Sequence, residues 1–122
     1  MILLDTNAVL WLESGHRRAR RLEKAGVSLA VSPASLLELQ FLHELGRIRL
    51  KVPSSFRLAE GAAWVVDEPP VLDWFERANS TSWTHDPFDR LIVAHARARG
   101  WRLATGDGHV LEHLEAREVF EL

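Results

Sequence analysis

The sequence predicts an α/β fold: a three-layer α/β/α sandwich with a central, mainly parallel sheet. Two observations lead to this prediction. Short, wholly apolar runs such as Ile2–Leu4 are typical of strands that are buried on both faces of a parallel sheet. Segments of helical length separate these runs, so strands and helices alternate along the chain. With 122 residues, 47% of them hydrophobic and 26% charged, the chain is expected to form one globular domain over residues 1–122.

The first half of the chain alternates clearly between the two element types. The polar residues after the first apolar run favour a helix start. Gly15 and Gly26 end the next two helices, because glycine readily closes a helix at its C-terminus. Pro33 occupies a first helical position, where proline is tolerated. The expected elements are a strand over Ile2–Leu4, helices over Ala8–Ser14 and Arg17–Ala25, a strand over Val27–Val31 and a helix over Pro33–Gly46.

The second half is harder to interpret until Asp86. The segment from Val52 to Trp83 matches no motif, and its elements rest on apolar runs and on the Pro69-Pro70 pair. The expected elements are a helix over Ser54–Glu60, a strand over Trp64–Val66, helices over Val71–Asn79 and Asp86–Arg99, a strand over Trp101–Thr105, a short helix over Val110–Leu114 and a last strand over Glu118–Phe120.

The composition excludes several classes of protein. Cysteine is absent, which excludes disulfides, thiolate metal sites and cysteine nucleophiles. No apolar run approaches the roughly 20 residues of a membrane helix, and the N-terminus has no basic region of the signal-peptide type. A cytoplasmic protein without a membrane partner is therefore expected. The net charge of −2 neither supports nor excludes a nucleic-acid partner, because the distribution of charge matters more.

Glu38 occupies a position where a carboxylate is costly. By helical periodicity it falls on a stripe that is expected to face the core, together with Ala34, Phe41, Leu42 and Leu45. His43 and Glu44 fall on the opposite, polar side. A buried glutamate needs a compensating partner. The alternatives are a position at the edge of the stripe or an ion pair with an arginine.

Asp89 repeats this pattern in the helix that starts at Asp86. Its neighbours on the helix face are apolar, so its carboxylate is expected to project from the buried side; they are Ile92, Val93 and Ala96. The helix N-terminus nearby favours an anion. Asp86 has a strong structural alternative, because it can cap the helix and can pair with Arg90 four residues later.

Asp5 and Asp107 each follow a predicted strand, which places both at the carboxyl edge of the sheet, where ligands gather. Each alone is typical of a turn or cap. The starts of the two acidic helices converge on the same edge. Like charges ~4 Å apart repel by about 4 kcal/mol at an effective dielectric near 20. Either some of these acids are therefore protonated, or divalent cations lie among them. Oxygen ligands favour Mg²⁺ or Mn²⁺, and such a site without a nucleophile indicates phosphoryl-group hydrolysis.

Four acidic motifs follow one another over nearly the whole chain: Leu3-Leu4-Asp5-Thr6-Asn7, Ser35-Leu36-Leu37-Glu38, His85-Asp86-Pro87-Phe88-Asp89-Arg90-Leu91-Ile92-Val93-Ala94 and Ala104-Thr105-Gly106-Asp107. Together they resemble the motifs of PIN domains, most of all the VapC-type toxins of bacterial toxin–antitoxin pairs. The resemblance implies an Mg²⁺-dependent endoribonuclease with an RNA substrate, a cognate antitoxin protein and a homodimer. It implies that the catalytic and metal-binding residues are Asp5, Glu38, Asp89 and Asp107, with Asp86 as an additional acid nearby. It also implies that the hydroxyls of Thr6 and Thr105 support these acids and that Asn7 is a polar neighbour of the site.

A basic stripe is predicted beside this site at helical spacing, formed by Arg17, Arg20, Arg21 and Lys24. The simplest interpretation is a solvated face. The alternative is contact with RNA phosphates or with an acidic antitoxin segment.

The residues after the last acidic motif depart from the family pattern. Many relatives have a basic or aromatic residue there, whereas this chain has Gly108-His109-Val110. His85, His109 and His113 are expected to be surface or capping residues without metal-ligand spacing, and His109 is the best placed of them for substrate contact.

Rival functions fit the motifs less well. A response-regulator receiver needs adjacent acids after the first strand and a lysine after the last, and neither is present. A haloacid-dehalogenase-like phosphatase needs Asp-x-Asp, but position 7 is Asn7. The remaining alternative is a catalytically weak binding module of PIN fold that acts through protein or nucleic-acid partners.

Overall fold

A five-stranded parallel sheet forms the centre of the molecule in the computed structural model, which describes residues 1–122. Its strands are β1 (Ile2–Leu4), β2 (Leu29–Val31), β3 (Trp64–Val66), β4 (Arg102–Thr105) and β5 (Val119–Glu121). Their order across the sheet is β3-β2-β1-β4-β5, and every neighbouring pair is parallel. The predicted α/β class with a parallel sheet is confirmed, including the strand at Trp64.

Six helices connect and cover the strands: α1 (Thr6–Ser14), α2 (Arg20–Lys24), α3 (Pro33–Glu44), α4 (Val71–Ala78), α5 (Pro87–Arg99) and α6 (Gly108–His113). Both α1 and α6 begin two residues before their predicted starts, because Asp5 and Asp107 are their N-cap residues. No helix combines the length and the apolar character that a membrane crossing requires.

Short 3-10 turns replace one predicted helix and the first turn of another. The predicted helix over Arg17–Ala25 is a 3-10 turn over Arg17–Ala19 followed by the five residues of α2. The predicted helix over Ser54–Glu60 is a 3-10 turn over Ser55–Ala59. A third such turn, over Ala116–Glu118, leads into β5. Helical periodicity over so few residues does not distinguish an α-helix from the tighter 3-10 form.

Two hydrophobic cores lie on opposite faces of the sheet. Successive side chains of a strand point to opposite faces, so Ile2 and Leu4 enter one core and Leu3 the other. The first core contains residues of α1, α2 and α3, including Leu36 and Leu39. The second contains residues of α4, α5 and α6. Helices therefore cover both faces, which is the predicted three-layer arrangement.

The chain changes direction across the sheet at β1. From β1 it passes to β2 and β3 on one side, and then crosses through α4 and α5 to β4 on the other side of β1. Such a reversal opens a crevice at the carboxyl ends of the two central strands. Asp5 directly follows β1 and Asp107 lies two residues beyond β4, so the topology places both acids at this crevice.

Helix α3 presents a different face to the core from the predicted one. Ser35, Leu36 and Leu39 are buried, whereas Phe41 and Leu45, from the predicted stripe, are about half exposed. The predicted core stripe was wrong at Phe41 and Leu45, whereas Ala34 is buried as predicted and Leu42 is half-buried at its end. Because α3 carries large apolar side chains on nearly every side, periodicity alone does not select one face.

Truncating two adjacent leucines of α3 should test this orientation. Leu36 is fully buried and Leu37 is 56% exposed. We expect Leu36→Ala to lower the free energy of unfolding by about 2–5 kcal/mol through lost burial and a cavity. Leu37→Ala should change it by less than about 0.5 kcal/mol. Urea titrations of both variants provide the measurement, and similar losses in the two would contradict the observed face.

Candidate active site

Five carboxylates surround one cavity of about 230 Å³ at the crevice between β1 and β4. The structure brings together the four acids that were predicted to form the site and also Asp86; the acidic lining residues are Asp5, Glu38, Asp86, Asp89 and Asp107. Thr6 and Asn7 line the same cavity, and the rest of its lining is apolar. The cavity therefore concentrates negative charge in a partly apolar environment.

Three of the acids are helix N-caps, which explains how the chain holds them at the cavity. The Oδ1 atoms of Asp5, Asp86 and Asp107 accept backbone N–H groups of α1, α5 and α6 at 2.7, 2.8 and 2.8 Å. The Oδ2 atoms of Asp86 and Asp107 accept no hydrogen bond from the chain. Three helices thus start at the cavity, and the positive ends of their dipoles offset part of its charge.

Asp86 combines the two interpretations that the sequence left open, since it both caps α5 and lines the cavity. The predicted ion pair with Arg90 does not form. The Arg90 Nε atom instead donates a hydrogen bond to the backbone oxygen of Thr84 at 2.7 Å. Arg90 therefore stabilises the loop before α5 and does not neutralise the Asp86 carboxylate.

Glu38 lies at the edge of the buried face of α3 and reaches the cavity, where the Thr6 hydroxyl donates a hydrogen bond to its Oε1 atom. It makes no ion pair with an arginine. Thr105 is fully buried, and its hydroxyl oxygen accepts the backbone N–H of Asp107 at 3.1 Å. The two threonines therefore contact site acids, as the family resemblance implies, whereas the Asn7 side chain only lines the cavity.

Burial and mutual repulsion raise the pKa of three of these acids. The pKa of Asp89 is raised to about 7, first by desolvation and then by the charges of Asp86 and Glu38. Desolvation also raises the pKa of Asp5 to about 6, although hydrogen bonds from Thr105 and from the Ala8 backbone oppose the rise. The pKa of Glu38 is raised mainly by desolvation, against the hydrogen bond from Thr6.

The chain supplies no cationic partner for these acids. None of the six ion pairs in the molecule includes a carboxylate of the cavity. Asp89 forms neither a hydrogen bond nor an ion pair through its side chain, although it is half-buried. Oxygen-only donors around a small negative cavity fit a hard divalent cation such as Mg²⁺ or Mn²⁺.

Basic residues near the cavity are arranged differently from the predicted stripe. All four residues of the stripe are exposed, but the break between the 3-10 turn and α2 interrupts their helical spacing. Arg21 donates a hydrogen bond to the backbone oxygen of Glu121. Arg18 was not predicted: its guanidinium lies 4.9 Å from the ring centre of Trp11. It also borders Gly106, where an added Cβ would lie 3.1 Å from its Nη1 atom.

Arg18 is therefore next to the loop that carries Asp107, since Gly106 directly precedes that acid. Sequence periodicity could not identify it. On a continuous helix from Arg17 to Ala25, Arg18 would lie beside the predicted stripe, three residues before Arg21.

Two histidines of α6 correct a further expectation. Because α6 begins at Gly108, His109 and His113 both lie in it, four residues apart. Ligand atoms of these two residues and of Glu112 lie within 4.8 Å of one another. The prediction that the histidines lack metal-ligand spacing was therefore wrong for this pair. The His-x-x-x-His spacing was the available signal, and the late predicted start of the helix obscured it.

Solved structures share the fold over nearly the whole chain. The toxin–antitoxin complex from Klebsiella pneumoniae matches with a TM-score of 0.69 at 19% identity, covering 100% of both chains. VapBC2 from Rickettsia felis, bound to a DNA fragment from their promoter, matches with a TM-score of 0.70 at 19% identity, covering 100% of this chain and 99% of the other. VapC20 of Mycobacterium tuberculosis, a Sarcin-Ricin loop cleaving toxin, matches with a TM-score of 0.65 at 21% identity, covering 94% and 97%.

Sequence comparison reaches beyond the fold. Ribonuclease VapC22 of Mycobacterium tuberculosis (strain ATCC 25618 / H37Rv) is 33% identical to this chain, over 97% of the chain and 95% of that protein. The family model of the PIN domain matches residues 2–116. The match includes every acid of the cavity, and the chain therefore belongs to the PIN-domain family, as its ordered acidic motifs predicted.

Proposed function

We propose that this chain is a metal-dependent endoribonuclease that hydrolyses RNA phosphodiesters, and that it is the toxin of a toxin–antitoxin pair. One observation carries the proposal: five carboxylates surround a single cavity without a cationic side chain to neutralise them. The similarity to Ribonuclease VapC22 supports the choice of RNA as the substrate.

Asp5, Glu38, Asp89 and Asp107 would hold the cation, Mg²⁺ or Mn²⁺, with Asp86 as an additional acid at the rim. A bound divalent ion supplies polarisation of the phosphodiester and a lowered pKa of the attacking water. The chain contributes orientation: Thr6 positions the Glu38 carboxylate, and the caps of α1, α5 and α6 position the three aspartates. Asp89, with its pKa near 7, would release its proton when it becomes a ligand.

RNA would reach the cavity past Arg18 and Trp11. The Arg18 guanidinium makes no ion pair within the chain and lies beside the Asp107 loop, where it can bind a phosphate next to the scissile bond. The partly exposed Trp11 ring, which also stacks with the His16 ring at 5.5 Å, supports this guanidinium at the edge of the path. The exposed basic residues of the predicted stripe would extend this path for RNA or an antitoxin; they are Arg17, Arg20, Arg21 and Lys24.

Protein partners are part of the proposal. The solved structures with this fold include a toxin–antitoxin complex. By analogy, this chain would bind a cognate antitoxin that blocks the cavity, and it would form a homodimer. Apolar side chains exposed on α3, at its C-cap and on α4 support association with other proteins; they are Leu37, Phe41, Leu45, Val71, Leu72 and Phe75. The absence of cysteine is consistent with action in the cytoplasm.

Two glutamates of α3 provide the first test. Glu38 faces the cavity, whereas Glu44 is exposed near the other end of the same helix. We expect Glu38→Gln to reduce Mg²⁺-dependent RNA cleavage by at least about 100-fold, because it removes a ligand charge at the reacting centre. Glu44→Gln should leave cleavage unchanged. Cleavage rates of the partner-free protein, with Mg²⁺, Mn²⁺ or EDTA, provide the measurement.

The control for this test is the circular dichroism melting curve of each variant, which should show both folded. Equal activities of the two variants and the wild type would contradict the proposed site. No cleavage by the wild type with either ion would favour a binding module of PIN fold.

Asp89 provides a test that does not depend on activity. Its raised pKa means that the folded protein retains a proton that the unfolded chain releases between about pH 4 and 7, so this group lowers stability as pH rises through that range. In metal-free buffer, Asp89→Asn should therefore raise the free energy of unfolding by about 1–3 kcal/mol at pH 8 and change it little at pH 4.

The same Asp89→Asn variant should lose most of the rise in melting temperature that millimolar Mn²⁺ gives the wild type. The matched control is Asp73→Asn on α4, which removes an exposed aspartate paired with Arg77. Denaturant titrations at the two pH values provide the measurement. A metal-free Asp89→Asn variant that is less stable than the wild type at pH 8 would contradict the proposed repulsion.

The RNA path can be tested through salt dependence. We expect Arg18→Gln to weaken RNA binding and to reduce the slope of log affinity against log salt by about 1, because one phosphate contact is lost. Arg20→Gln, which changes an exposed arginine of the predicted stripe, should have a smaller effect. Both substitutions are introduced into the catalytically inactive Glu38→Gln variant, and the affinity of each protein for a short RNA is measured at several salt concentrations. A larger effect of Arg20→Gln would assign the path to the stripe instead.

A further inference from the structure

A second group of metal-ligand side chains lies outside the carboxylate cavity, on the exposed face of α6. It consists of His109, Glu112 and His113, whose ligand atoms all lie within 4.8 Å of one another. Residues four apart share one face of a helix, and two histidines at this spacing are a common way for a helix to hold zinc. The group differs from a cluster of acids because two of its three donors are imidazoles.

Hydrogen bonds determine which nitrogen of each imidazole is available. The Nε2 atom of His109 lies 3.1 Å from the backbone oxygen of Trp83, and the Nδ1 atom of His113 lies 2.9 Å from the backbone oxygen of His109. A carbonyl oxygen only accepts, so each of these ring nitrogens must donate its N–H. In the neutral rings, the lone pairs are then on Nδ1 of His109 and on Nε2 of His113. Histidines that bind metals usually show this pattern, with the other nitrogen donating to a carbonyl or carboxylate.

Trp83 holds both rings in place. The His113 ring stacks on it with a centroid distance of 4.6 Å and an interplanar angle of 3°. The His109 ring meets it edge-on at 5.4 Å and 67°. Side chains that are already ordered lose less rotamer freedom when they bind a ligand. The packing against Trp83 therefore favours binding at this group over binding at histidines free in solvent.

We propose that His109, Glu112 and His113 form a second cation site, which takes a d-block divalent ion such as Zn²⁺. Imidazole nitrogen suits ions of this class, whereas the oxygen-only cavity suits Mg²⁺ or Mn²⁺. Three protein ligands leave the remaining coordination positions to water. The site is exposed at every ligand, so an ion can reach it directly from solvent.

Zinc titration of the full chain in millimolar Mg²⁺ tests the proposal, because Mg²⁺ competes poorly for imidazole. Zn²⁺ that enters the carboxylate cavity should bind the histidine variants and the wild type alike, so the difference between them reports the histidine group. We expect the wild type to bind Zn²⁺. The largest changes in imidazole nitrogen chemical shift should then be at His109 Nδ1 and His113 Nε2. His109→Gln and His113→Gln should each weaken this binding by at least about tenfold, since even loss of an outer-shell partner typically costs roughly 10–100-fold. Calorimetry provides the affinities.

The matched control is His85→Gln, which changes an exposed histidine outside the group and should leave Zn²⁺ affinity unchanged. The variants change exposed side chains, and their melting curves should confirm that they fold. Zn²⁺ affinity that is the same in the His109→Gln/His113→Gln double variant as in the wild type would overturn the proposal. Complete displacement of Zn²⁺ by Mg²⁺, or no binding at millimolar Zn²⁺, would also overturn it.

Discussion

Mutual repulsion among five carboxylates is the constraint on which the rest of this structure depends. The fold opposes this repulsion in two ways. Three of the acids cap helices, so each gains backbone hydrogen bonds and the field of a helix N-terminus. Two packed cores hold the sheet edge that carries the acids. Asp89 receives neither a cap hydrogen bond nor an ion pair, and burial together with the charges of Asp86 and Glu38 raises its pKa to about 7. A cation that joins the cluster would thus stabilise the fold and complete the site together.

Helix α6 connects the two candidate cation sites. Its N-cap is Asp107 of the carboxylate cavity, and its exposed face carries His109 and His113. The donor chemistry separates the sites, because carboxylate oxygen and imidazole nitrogen favour different classes of ion. Trp83, in the loop before α5, packs against this histidine face. The loop that precedes α5 therefore contacts α6, the helix that Asp107 caps.

The predictions from sequence that were wrong have a common physical origin. Three predictions followed from helical spacing alone: the face of α3, the helix over Arg17–Ala25 and the Asp86–Arg90 ion pair. In each case the same spacing also permits a different arrangement. Packing against the first core selected the face with Leu36 and Leu39. Arg90 found a backbone oxygen in the preceding loop instead of the carboxylate. Such choices depend on packing and on the loops beside a helix, and helical periodicity contains no information about either.

By itself, the sequence determined the alternation of strands and helices, the parallel sheet, the family and the set of acids that follow the central strands or lie on α3 and α5. These features follow from short-range patterns: apolar runs, caps and ordered motifs. Only the tertiary structure decided the side from which Glu38 reaches the cavity, that Arg18 borders Gly106 next to Asp107, and that Trp83 packs against His109 and His113. The physical reason is that these relations arise where separate elements pack together, and packing is decided by the whole core rather than by neighbours in the chain.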